Sequence, residues 1–146
     1  AYRWEQVEWF ADELQNVISP HVAVLIHIYA NYNVDGEMII QPLAENLMNL
    51  SMTYNRRERI AISEKTYDFS NASGAVAFFL CGHNHEDYVV NPAGIPVICT
   101  ADFKKRSICT YDVCTVNWEI GKMYMDRVGY GDDREVDIVI ADDHIQ

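Results

Sequence analysis

The chain has no apolar run approaching the roughly 20 residues that a membrane-spanning helix needs. A basic-then-apolar leader is also missing. Basic side chains are scarce: 11 Lys and Arg stand against 22 Asp and Glu, a net charge of −11. That balance repels nucleic acid and anionic lipid at long range, so neither nucleic acid nor membrane is expected as a partner. The basic groups at Arg56, Arg57 and Arg59, and at Lys104, Lys105 and Arg106, read as solvated faces. No Cys-x-x-Cys pair occurs among Cys81, Cys99, Cys109 and Cys114, which argues against a structural zinc knuckle. Cys81 and Cys99 lie in apolar runs and read as buried thiols; a reducing, cytoplasmic setting is the default, with disulfides left open. No Gly-x-Ser-x-Gly is present, and Gly129 and Gly131 lack the third, helix-opening glycine of a dinucleotide site. Repeats and low-complexity tracts are absent too.

What is there fits one compact domain of 146 residues. The chain starts at Ala1 and enters a helical pattern at once, which reads as a processed chain or an excised fragment. Over residues 2–16, Trp4, Val7, Phe10, Ala11 and Leu14 make one apolar stripe at helical spacing, and Ser19-Pro20 breaks the chain after it. Residues 21–28 read as a strand covered on both faces, and 31–36 as a loop of turn formers. Pro42 opens a packing helix over 42–55, with Leu43, Leu47, Leu50 and Tyr54 on one face. A short hairpin is expected over 60–69 around Ser63-Glu64. A turn at 91–94 leads to an apolar strand at 95–100, and 102–107 is charged and exposed. Alternating strands at 110–116 and 123–128 flank a turn, and a last strand covers 134–140, before an acidic terminus with His144. Helix-strand units followed by hairpins predict an α/β fold of mixed β-sheet layers with flanking helices.

The chemistry concentrates at residues 76–88. The apolar run 75–81 has the length of a buried strand, and it delivers Gly82-His83-Asn84-His85. Gly82 is expected to supply the tight backbone geometry just past the strand end. Two imidazoles converging there suit a borderline metal such as zinc, iron or manganese. The plain alternative is a solvated pair in a loop. His27 stands at the end of the other apolar run, where a core histidine is the corresponding alternative; His21, at its start, reads as structural.

An apolar strand delivering Gly-His-x-His resembles the closing motif of the calcineurin-like metallophosphoesterases. His27 resembles a further metal-binding histidine that this family sets at the end of a strand, although Ile28-Tyr29 follows it where the family often has His or Pro. The stretch from Asp126 to Gly129, continued to Asp133-Arg134, is similar to the closing strands of some bacterial and phage members. The resemblance implies an α/β sandwich and hydrolysis of phosphate mono- or diesters at two divalent ions, which clamp the phosphoryl group and activate an oxygen nucleophile. By that resemblance His27 and His83 would bind one ion (Mn, Fe or Zn) and His85 the other. Glu86 and Asp87 are nearby and would be either support for these ligands or solvated carboxylates.

The acidic half of the family's pattern is missing. No Gly-Asp-x-x-Asp and no Gly-Asn-His occurs, and no Asp-x-His precedes the histidine motifs. Three imidazoles cannot hold two metals without bridging carboxylates. The resemblance therefore implies the C-terminal half of a phosphoesterase domain, inactive or nearly so alone and binding at most one ion loosely. Its partners would be a phosphate ester, the missing N-terminal half and, through apolar surface left uncovered, a second copy in a homo-oligomer. Two other readings stay open: a non-enzymatic phosphoesterase-like assembly module, and a single-metal protein using His27, His83 and His85.

Overall fold

The computed structural model describes residues 3–101 and 109–141; Lys104, Lys105, Arg106 and His144 lie outside that set, as does the charged stretch expected at 102–107. The described residues form a mixed α/β fold with two helices and mostly sheet. The elements are α1 (Trp4–Asn16), β1 (His21–Leu25), β2 (Ala30–Tyr32), β3 (Met38–Ile40), α2 (Pro42–Asn55), β4 (Arg59–Ile62), β5 (Lys65–Asp68), β6 (Ala75–Cys81), β7 (Tyr88–Val90), β8 (Val97–Cys99), β9 (Tyr111–Asn117), β10 (Lys122–Val128) and β11 (Arg134–Asp137). No helix among the described residues is long and apolar enough to cross a membrane. The chain divides into two compact units. The first takes 3–22, 30–76 and 141; the second takes 23–29, 77–101 and 109–140.

In the first unit the helices carry the core. Val7, Phe10, Ala11 and Leu14 of α1 are buried at the expected spacing, and Trp4 at the end of the stripe stays 43% exposed. Pro42 stands in the first turn of α2, where its missing N–H costs nothing. Ala44, Leu47, Met48, Leu50 and Tyr54 are buried along that helix, each large apolar side chain contributing about 1.5–3 kcal/mol. The β4–β5 hairpin turns at Ser63-Glu64 as read, with Ser63 in the left-handed region (φ 54°). A second hairpin, β2–β3, stands where the sequence read as a loop. Its turn is built by the Asn33 side-chain oxygen, which accepts from the Asp35 and Glu37 amides, and by Gly36 at φ 80°.

Asn55 closes α2 onto the start of β6: its amide donates to the Val76 carbonyl and accepts from the Val76 N–H. Gly74, just before, has no room for a side chain. A Cβ there would come within 2.3 Å of the Ser19 carbonyl and 3.0 Å of the Tyr54 hydroxyl. Gly74→Ala should therefore cost about 1–3 kcal/mol, read as a lowered urea midpoint at unchanged slope.

The second unit holds a four-strand sheet in the order β1-β6-β8-β7 and a three-strand sheet β11-β10-β9. β6 pairs parallel with β8, Phe79 opposite Val97 and Cys81 opposite Cys99; β7, a strand with no counterpart in the sequence reading, pairs antiparallel with β8. Six of the seven β6 residues are buried, as a centrally placed parallel strand requires. Ala77, Phe78 and Ile98 share one core cluster with Met123, Met125, Val136 and Ile138, and Trp118 stacks on Phe78 with centroids 6.2 Å apart. β9 and β10 form the expected antiparallel hairpin, and β11, which ends at Asp137 rather than 140, pairs antiparallel with the other side of β10.

β1 differs from expectation. It is shorter than 21–28 and is not covered on both faces: Val24 is buried, but Leu25 is 76% exposed. The reason is an open groove on one face, which Leu25 lines together with Ile26, Leu80 and Tyr111.

Candidate metal centre

The tips of β1 and β6 run in step. The Ile26 N–H donates to the Leu80 carbonyl (2.9 Å), and the Gly82 N–H donates to the His27 carbonyl (3.1 Å). Bonds that climb both strands together define a parallel pair. They bring His27 and His83, 56 positions apart, into contact. His27 Nε2 lies 3.3 Å from His83 Nδ1, with ring centroids 5.1 Å apart and planes at 81°. Both rings are exposed to solvent.

Gly82 does not make the turn; the left-handed residues are His83 (φ 69°) and His85 (φ 58°). Histidine enters that region more readily than most residues, but each such backbone still costs on the order of 1 kcal/mol or more. Asn84 between them is half-buried, and its N–H donates to the Gly82 carbonyl at 2.9 Å. The Cys99 thiol donates to the same carbonyl at 3.0 Å. Cys81 and Cys99 are buried, as read, and all four cysteines are free thiols. Hydrogen bonding from the Cys81 thiol, aided by the Tyr88 hydroxyl, brings Cys99 down to about 7; burial opposes it. Hydrogen bonding to Cys99 and burial push Cys81 up. Neither thiol is accessible, so both act as packing beneath the histidine loop.

The donor set fits one ion better than two. Two nitrogens, each about 2.0–2.1 Å from a tetrahedral zinc ion, lie about 3.3–3.4 Å apart, which is the spacing of the His27–His83 pair. It is long for a hydrogen bond, where N–H donors sit at about 2.9–3.0 Å from their acceptors. No three His, Cys, Asp or Glu side chains among the described residues are grouped to hold an ion. His85 is exposed on the same loop and does not complete a three-donor set with His27 and His83. Glu86 is exposed. Asp87 is turned toward Arg127, whose fork it accepts at 2.7 and 2.9 Å.

That contact belongs to a charge network absent from the sequence reading. Arg127 and Arg134 face Asp87 and Asp112, two guanidiniums against two carboxylates. The side chains of Arg127 and Asp112 are each 2% exposed. Burial works against the Asp87 carboxylate, yet the Arg127 hydrogen bonds, the Ala101 N–H and the nearby guanidinium charges outweigh it and hold its carboxyl below the usual range. The signal for this network lay in the strand alternation. Met123, Met125 and Arg127 share one face of β10, so an arginine takes an inward position, and Asp112 is its cross-strand partner.

No protein-family model matches the chain, no curated protein matches it, and no solved structure matches it.

Proposed function

We propose that the chain carries the histidine ligands of a metal-dependent phosphoesterase: His27 and His83 for one divalent ion (Mn, Fe or Zn), and His85 for a second. The observation that supports this most is the 3.3 Å separation of His27 Nε2 and His83 Nδ1 at neighbouring strand tips. When bound, paired ions would supply the Lewis acidity that phosphoryl transfer uses. The chain's own part is to present two imidazole lone pairs to one point.

In this reading the bridging carboxylates come from residues outside these 146, in the N-terminal half of the same α/β sandwich, and the chain is the C-terminal part. β1 ends the sheet order with one side unpaired, an edge of the kind such a half, or a second copy, would cover. A groove of about 560 Å³ bordered by Ile26, Gly82, Thr100 and Tyr111 gives room for the organic part of an ester beside the pair.

The purified chain supplied with manganese or zinc should hydrolyse an aryl phosphate no faster than the free ion does. Turnover near the roughly 10 s⁻¹ typical of enzymes would contradict the reading. The single-metal alternative, a site of His27, His83 and His85 together, is less well supported, since no third donor groups with the pair among the described residues. It separates from the first reading when the missing half is added in trans: phosphatase activity appears only if that half brings the carboxylates.

A further inference from the structure

The histidine loop is pinned at both ends. At its start, the Gly82 N–H is bonded to the His27 carbonyl, and the Gly82 carbonyl accepts from both Asn84 and Cys99. At its end stands Asp87, whose Oδ1 accepts from the Ala101 N–H at 3.0 Å. Between them His83 and His85 hold left-handed backbones, which persist only where the surroundings over-determine them.

The far anchor is unusually complete. All five N–H groups of the Arg127 guanidinium have an acceptor. Nε donates to Asp112 Oδ1 (2.7 Å) and Nη2 to Asp112 Oδ2 (3.2 Å). Nη2 also donates to Asp87 Oδ1 (2.7 Å), and Nη1 to Asp87 Oδ2 (2.9 Å) and to the Tyr130 carbonyl (2.9 Å). With its side chain 2% exposed, the fork meets almost no competing water. Gly131 keeps the loop close to it, since a Cβ there would stand 3.0 Å from Nη1. A planar, bidentate grip of this kind fixes a carboxylate's direction as well as its position.

We infer that Arg127 is a positioning residue. Through Asp87 it holds the loop that carries His83 and His85 in the conformation that sets His83 Nδ1 against His27 Nε2, and so presets the metal affinity of the pair. The metal half of this inference rests on the proposed function; the loop half does not.

The test is Asp87→Ala in the 146-residue chain, because it leaves the buried contacts among Arg127, Asp112 and Arg134 in place. Zinc ion alone is the probe, titrated by calorimetry, alongside backbone amide order parameters at residues 83–86 of the metal-free protein. Order parameters should fall from about 0.85 to below about 0.6, while the thermal midpoint falls by less than removal of Arg127 itself would cause, since the Asp112 contacts remain. Zinc affinity should weaken by about 10- to 100-fold. Asp87→Glu, which keeps a carboxylate, should recover part of both. If the parent chain binds no zinc but Asp87→Ala still loosens the loop, the clamp stands and the metal reading falls. Unchanged loop order in Asp87→Ala overturns the clamp, whatever zinc does.

Discussion

Replacing Arg127 with alanine should destabilise the protein by about 3–5 kcal/mol, because it strips a buried carboxylate of its main partner. Asp112, its side chain 2% exposed, would keep Arg134, at 2.8 Å, as its one cationic partner among the described residues. The Tyr130 carbonyl would lose the Arg127 donor, and Asp87 would lose the fork while keeping the Ala101 N–H and Arg134. At this chain length the thermal midpoint should drop by on the order of 10 °C. Arg127→Lys should recover little: it keeps the charge but presents three donors from a single nitrogen where the site uses a fork. The comparison that gives the figure its meaning is Arg59→Ala. Arg59 pairs with Asp68 at 2.7 Å, but the two side chains are 71% and 36% exposed, so that loss should stay below about 1 kcal/mol. Equal losses at the two sites would mean that the 127 network is not held out of water.

Substituting either member of the histidine pair should have the largest effect on metal binding. One imidazole alone makes a weak site, so His27→Ala and His83→Ala should each reduce zinc affinity by more than the roughly 10- to 100-fold that loss of an outer supporting group costs. His21 opens β1 at the far end of the strand, and His21→Ala should leave zinc binding unchanged. His85→Ala should retain the first ion, since His85 does not complete a set with the other two. The rank order matters more than any one value. It separates a site built at two strand tips from loose association with an acidic surface of net charge −11.

The parts of this architecture that sequence made legible are those where local pattern and tertiary role agree. The run 75–81 is a strand over its whole length because its apolar residues meet core on both faces. Residues 42–55 are a helix at those limits because proline, periodicity and burial coincide. Where they part, the reading failed. Residues 31–36 hold good turn formers, but the strands on either side are three residues each, too short for alternation to register. β7 is equally short and follows two carboxylates. The apolar run at 21–28 looks doubly covered, yet one face of β1 opens onto a groove that leaves Leu25 exposed, a property of tertiary packing that composition does not carry. Gly82 drew the turn assignment because glycine tolerates left-handed backbone, whereas the chain puts that conformation on His83 and His85.

The candidate site was half legible. His27, His83 and His85 stand out by their place after apolar runs, and the structure brings the first two together. The clamp was not legible, because Arg127 and Asp87 are 40 positions apart and each alone reads as a surface charge. Only the register that sets Arg127 opposite Asp112, on the inward face of β10, turns a charged residue into a buried anchor.

X-ray absorption at the zinc edge, on the 146-residue chain loaded with one equivalent of zinc, examines the ligand pair itself. Two imidazole nitrogens at about 2.0–2.1 Å, one of them lost in His27→Ala and one in His83→Ala, is the result expected. A first shell of oxygens alone, indifferent to both substitutions, would contradict a metal site at the tips of β1 and β6.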